Sequence, residues 1–337
     1  MKYFYSSFII TAFGLVLAYF LGGFSAVYIC FLLCILEVSL SFDNAVVNAK
    51  VLGQMSELWQ RRFIVWGIPV AVFGMRFFFP LLIVAIAAKI GIFETFFLAL
   101  NDPDRYHEIL SEAREEIYIF GGGFLLMVFN NFFFDRERNV FWLGFLENNA
   151  IVRNLSRIRG ISVLIAAMFG GILYAKTANL TYLAIYFSAI FAFVAVSSFD
   201  KIFSKGAVKN GIAGFLYLEM LDASFSFDGV IGAFALSENI FIIMIGLGSG
   251  AMFVRSMTIY LVKKGTLAEL IYLEHGAHYA ILALAVIMFL KIFYEVSEIL
   301  TGTISFILIA LSLFASLKYR KANLLDELEQ LNRTPGK

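Results

Sequence analysis

Between Lys2 and Glu37 the chain carries no charged side chain, only an apolar run that opens "YFYSSFIITAFGLVLAYFLGGFSA". Apolar stretches about as long as a bilayer is thick recur from there toward the C-terminus. Backbone within hydrocarbon must satisfy its own hydrogen bonds, so a chain patterned this way folds as helices. Composition agrees, with 61% hydrophobic and only 15% charged residues, against roughly a quarter charged in a soluble domain. The expected class is all-α: a polytopic membrane protein. Its 26 basic and 25 acidic residues nearly cancel, so charge gives no reason to expect a nucleic-acid partner. Cys30 and Cys34 sit four apart in one apolar run and are expected to be core rather than a disulfide. The N-terminal apolar region is longer than that of a signal peptide, and it reads as the first span.

Ten candidate helices follow, near 4–21, 25–50, 62–89, 116–134, 161–176, 180–199, 210–236, 239–262, 275–293 and 299–317. If the N-terminus is inside, the inside segments collect 19 of the 26 basic residues and the outside segments five. That bias places both termini in the cytoplasm. Three regions are expected: a first transmembrane repeat over 1–178, a second over 179–318, and a cytoplasmic tail over 319–337. The first includes an acidic outside loop at 92–115, with a short surface helix, and a basic cytoplasmic loop at 135–160.

The division into repeats comes from two segments, "LEVSLSFDNAVVNA" (Leu36 to Ala49) and "LDASFSFDGVIGAF" (Leu221 to Phe234). Superposed, they share Leu36/Leu221, Ser39/Ser224, Ser41/Ser226, Phe42/Phe227 and Asp43/Asp228, and Glu37 meets Asp222. The following helices match as well: "GIPVAVFGMR" ends at Arg76 and "GLGSGAMFVR" at Arg255. The two acid helices are five spans apart, so they run in opposite directions. The expected architecture is a five-plus-five inverted repeat with a substrate site near mid-membrane.

Five carboxylates fall inside the spans: Glu37, Asp43, Glu219, Asp222 and Asp228. Each costs about 2.5–3.5 kcal/mol or more at a helix centre, which marks them as functional. Arg76 and Arg255 can neutralise only two. The remainder is an oxygen-rich cluster flanked by Ser39, Ser41, Asn44, Asn48, Ser224 and Ser226, the ligand set that hard divalent cations prefer. Glu219 and Asp222 are three apart and share a helical face. The period-two "SxSxD" pattern, followed by Asn44 or Gly229, predicts that both helices unwind locally there.

These residues carry a resemblance. "EVSLSFDN" (Glu37 to Asn44) and "EMLDASFSFD" (Glu219 to Asp228) resemble the paired motifs "ExxxSxDN" and "ExLDxxFSxD" of the TerC family. That family comprises bacterial membrane proteins named for tellurium resistance and placed near the LysE-type exporters. The similarity covers roughly 25–90 and 210–295. It implies a multi-pass protein of the inner (plasma) membrane that exports a divalent cation, Mn²⁺ first, with the five carboxylates handling the metal.

The five acids and two arginines sum to a formal charge of −3, and a divalent ion leaves −1. Proton uptake on metal release, and hence metal/proton antiport, is therefore expected. No enzymatic activity is expected. The alternatives are an intramembrane aspartyl protease built on Asp43 and Asp228, whose usual "GxGD" context is absent, and a structural or membrane-assembly factor. Tellurite itself would be repelled by the acids. His275 and His278 could serve cytoplasmic metal access or a proton relay, though a packed helix end accounts for them more simply. Asn130 and Asn131 are expected to bridge helices.

Overall fold

The computed structural model describes residues 2–203, 211–234, 236–237, 239–264, 270–296 and 298–333; within these, the side chains of Ser39, Asp43, Ser226 and Asp228 lie outside the description. The described residues form helices joined by turns and loops, without a strand.

Helix α1 (Tyr5–Leu40) contains both of the first two expected helices up to the acid patch. They are separated by a kink at Gly22 and Gly23, where Gly23 takes φ 65°, a conformation that favours glycine. The helix stops at Ser41 (φ −106°, ψ 15°), and α2 (Phe42–Gln54) resumes at once. The expected unwinding therefore occurs in the first acid segment. It does not occur in the second, where α12 (Ile212–Phe234) runs through the matched residues without interruption. Ser224 Oγ donates to Met220 O one turn back (2.9 Å), which satisfies the hydroxyl inside a continuing helix. Ser41 Oγ instead donates to the Glu37 carboxylate.

The expected helix over 62–89 is α3 (Glu57–Pro69), a π-helical stretch (Val70–Phe78) and α4 (Phe79–Ala88). Pro69 and Pro80 bracket the wide turns. Neither has an N–H to keep an i→i−4 ladder in register, and π turns accommodate that loss. The loop expected outside, at 92–115, holds two helices rather than one, α5 (Ile92–Asn101) and α6 (Pro103–Glu112). Nor does α6 lie freely on the surface: it buries Tyr106, Ile109 and Leu110 and packs against α4, α5 and α7 (Arg114–Phe133).

The loop after α7 carries α8 (Gly144–Glu147) and α9 (Ala150–Ser156), and α9 meets α10 (Ile161–Thr177) at a bend of 104°. Then come α11 (Leu180–Phe203), α12, α13 (Ile240–Lys264), α14 (Leu273–Leu290) and α15 (Glu298–Arg333). The segment read as a separate tail continues α15 as far as Arg333.

Among the described residues, five helices are long and apolar enough to cross a membrane, or six if α9 and α10 count as one bent span. This is the structure of a membrane-embedded helical protein. This count, by length and apolarity among the described residues, is lower than the ten helices expected; α1 holds two of those end to end, and the π stretch divides another. Large apolar side chains such as Phe13, Phe20 and Phe24 are exposed along α1, as a lipid-facing surface requires. The other face of α1 lies along α13, tied by Ser7 Oγ to Met252 O (2.8 Å) and by the weaker Cys30 Sγ to Ile242 O contact (3.4 Å). Cys30 and Cys34 are free and buried, as expected.

Candidate functional site

α1, α2 and the π stretch all pack on α12 and α13, and the π stretch reaches the end of α1 through Arg76. The interruption at Ser41 leaves Glu37 on the last turn of α1 and Asn44 on the first turn of α2. Glu37 is only 1% exposed. Gly250 of α13 makes room for it, since a Cβ there would lie 2.5 Å from the Cβ of Glu37.

Arg76, carried on the π stretch, joins the two acids that the repeat matches. Its Nη2 lies 2.5 Å from Glu37 Oε1 and its Nη1 lies 2.9 Å from Asp222 Oδ2. The guanidinium fork is suited to such a double engagement. Each acid also accepts a neutral donor: Ser41 Oγ reaches Glu37 Oε1 (2.9 Å), and Asn44 Nδ2 reaches Asp222 Oδ1 (2.8 Å). The result is a buried, five-residue polar clamp assembled from both expected halves.

Arg255, at the position matching Arg76, is placed differently. Its guanidinium lies 4.3 Å from the centroid of the Phe63 ring. It also occupies the space that a side chain at residue 67 would take, so the guanidinium would have to move for any residue but Gly67. Arg255 Nε and Nη1 are buried without a hydrogen-bond partner, as are Glu219 Oε1 and Asn48 Oδ1. These groups line one small cavity of about 20 Å³, together with Arg76 and Asp222. A space of that size holds about one water molecule or small ion. Unsatisfied donors and acceptors around it are costly to leave dry.

A larger recess of about 500 Å³ lies beside this cavity, lined by Asn131, Asp135, Glu274, His275 and His278 among others. Lys50 Nζ and Glu274 Oε2 pair across it at 2.8 Å. On α2, Val47 faces the recess and Asn48 the cavity; on α12, Tyr217 and Leu218 divide in the same way. Neighbouring residues of α2 and α12 therefore line both.

Of the residues expected at the site, Glu37, Ser41, Asn44, Asn48, Arg76, Glu219, Asp222 and Arg255 come together. Ser224 turns back into its own helix. Ser39, Asp43, Ser226 and Asp228 lie outside the described side chains. His275 and His278 are not at the acids: His275 Nε2 is 2.9 Å from Val140 O, and His278 stacks on Phe132 at 3.8 Å. Among the described residues, no three His, Cys, Asp or Glu side chains gather as a metal-holding group. Asn130 bridges α7 and α10, its Nδ2 donating to Ser162 O (3.4 Å) and its backbone carbonyl accepting from Ser162 Oγ (3.1 Å), while Asn131 lines the recess. Phe63 and the recess carried no signal in the sequence. Gly67 did, since it opens the segment matched to Gly246, but its service to Arg255 did not show.

The fold and the clamp define a class: a helical membrane protein with a buried carboxylate–arginine centre. Residues 42–323 match the model of the family described as "Protein of unknown function (DUF475)", and the chain belongs to that family. The match begins just after Glu37 and Ser41 and contains the whole of the second acid motif. No curated protein and no solved structure matches the chain.

Proposed function

We propose that the protein is a membrane transporter that exports a divalent cation, Mn²⁺ first, through the carboxylate site. One observation supports this above the others: Glu37 and Asp222, from segments far apart in the chain, converge on one buried arginine beside a cavity that also receives Glu219. Buried acids within a membrane protein mark ion pathways. Here the arginine occupies the place between two carboxylates where a cation would be held. The clamp then represents the resting site, with Arg76 as internal counter-charge. A cation arriving from the 500 Å³ recess takes over Asp222, with Asn44 and Asn48 as neutral oxygen donors; the sequence motifs add Asp43 and Asp228 to the expected ligand set. Oxygen ligands of this kind suit Mn²⁺ better than softer metals.

The meeting of matched acids also supports the five-plus-five inverted repeat of ten spans. The distribution of basic residues supports cytoplasmic termini. The TerC-like motifs support Mn²⁺ as cargo and the inner membrane as its location. Glu219, whose Oε1 has no hydrogen-bond partner, is the group best placed to exchange a proton with the cation.

The test is reconstitution of the full chain into vesicles, with Mn²⁺, Mg²⁺, Ca²⁺, Zn²⁺ and Fe²⁺ offered in turn and internal pH followed by a dye. Movement of Mn²⁺ with opposite proton flow is expected. Mn²⁺ movement without proton flow at any imposed pH difference replaces the antiporter with a uniporter. Movement of none of the five removes the proposal.

A further inference from the structure

The loop between α7 and α10 holds a second charged arrangement, of opposite sign. The Arg138 side chain is only 8% exposed. Its guanidinium lies 4.7 Å from the Phe132 ring centroid and 5.2 Å from that of Phe141. Nη2 has long contacts with Glu147 Oε2 (3.5 Å) and Phe133 O (3.4 Å), while Nε and Nη1 have no hydrogen-bond partner. Glu147 gives Arg138 little, because it already accepts from the Trp142 and Leu143 amides and the Tyr279 hydroxyl, and it lies 3.4 Å from His275 Nε2. Burial pushes the Arg138 guanidinium below its ordinary range, against the opposing pull of Glu147. A buried cation with two idle donors is an incomplete arrangement.

Arg138 lines a cavity of about 300 Å³ shared with Arg136, Arg153 and Arg157. Arg136 is engaged by the carbonyls of Ser156 and Arg157. The side chains of Arg153 and Arg157 are exposed at the rim. Four guanidinium groups face the carboxylates of Asp135 and Glu147, a formal excess of two positive charges. Phe145 of α8 and Ile151 of α9 project outward at 74% and 70% exposure. Apolar side chains beside arginines on short helices are the pattern of a segment lying in a bilayer interface.

We propose that this cavity binds a phosphate group: either the headgroup of an anionic phospholipid with its acyl chains against Phe145 and Ile151, or free phosphate. Arg138 supplies the buried donors, and Arg153 and Arg157 close on the phosphate from the rim as charge-assisted partners. Arg138 and Asp135 also line the 500 Å³ recess, but a phosphate site needs no cation transport and stands whether or not that reading does.

The experiment uses the full chain in a neutral detergent, titrated with phosphatidylglycerol, phosphatidylcholine or inorganic phosphate and read by native mass spectrometry. One phosphatidylglycerol per chain should persist under conditions that strip phosphatidylcholine. The double variant Arg153→Gln/Arg157→Gln, which alters only exposed side chains, should weaken phosphatidylglycerol binding about thirtyfold. Lys263→Gln/Lys264→Gln, at the end of α13, should leave it unchanged. Displacement of the lipid by millimolar inorganic phosphate assigns the site to the free anion, and resistance to displacement assigns it to the lipid; either result supports a phosphate site. Equal retention of the two lipids, or wild-type binding by the Arg153/Arg157 variant, overturns the proposal.

Discussion

Arg76 and Arg255 stand at matched positions in two segments of similar sequence, yet their surroundings have diverged. Arg76 engages two carboxylates within 2.9 Å. Arg255 rests on the face of Phe63 and against Gly67, with two donors unfilled. The backbone underneath explains part of this. Arg76 rides on a π stretch bracketed by prolines, which carries its guanidinium between Glu37 and Asp222. Arg255 sits in the regular helix α13 and points at an aromatic ring. The lesson is that two segments of similar sequence can carry the same charge into different surroundings. One arginine closes the acid pair, and the other lies against an aromatic ring beside Glu219.

The largest expected effect comes from removing the engaged arginine. Arg76→Gln strands the buried Glu37 carboxylate and should destabilise the protein by about 3–5 kcal/mol, seen as a lowered midpoint of heat unfolding in detergent. Arg255→Gln should cost much less, about 1–2 kcal/mol. Equal losses for the two would erase the difference on which the comparison rests.

Next comes Asn44→Ala, which takes from Asp222 its neutral donor. A loss of about 1.5–3 kcal/mol is expected for a hydrogen bond to a charged group. In the double variant with Arg76→Gln, the two losses should fail to add, since both act on the same carboxylate. Strict additivity in that cycle would mean that Asp222 does not couple them.

Gly67→Ala sharpens the comparison from the other side. The added methyl group takes the space of the Arg255 guanidinium, and overpacking of that kind costs about 1–3 kcal/mol. In an Arg255→Gln background, with a shorter side chain there, the cost should fall. A cost that persists unchanged would show that Gly67 serves backbone packing rather than the arginine. The smallest effect belongs to Ser41→Ala, which removes one donor to Glu37 while Arg76 remains, at about 1 kcal/mol.

Much of the fold was legible because helix length and apolar runs are local properties. The starts of α10 and α11 and the C-terminal end of α7 fell within about a residue of the expected positions. The stop at Ser41 was readable too, from serines spaced by two ahead of Asp43 and Asn44. The same pattern misled in α12, because a serine that bonds the carbonyl one turn back stays helical, as Ser224 does. Nothing local distinguishes those outcomes. The site was legible as a set of residue types, since acids inside apolar runs are hard to overlook. Its pairing was not, because the choice of Arg76 over Arg255 for Asp222 depends on a π stretch and a phenyl ring that only the tertiary structure brings into place. The reach of α15 to Arg333 was missed because its polar end no longer looks like a span.

The central claim is that the clamped carboxylates carry a cation across the membrane, and Asp222→Asn tests it most directly. The substitution keeps the size of the side chain and an oxygen for Asn44 while removing the charge that binds the cargo. In vesicles containing equal amounts of folded protein, wild type should move Mn²⁺ and Asp222→Asn should lose at least about tenfold of that rate, the equivalent of about 1.4 kcal/mol. Mn²⁺ flux through Asp222→Asn at the wild-type rate would contradict the account.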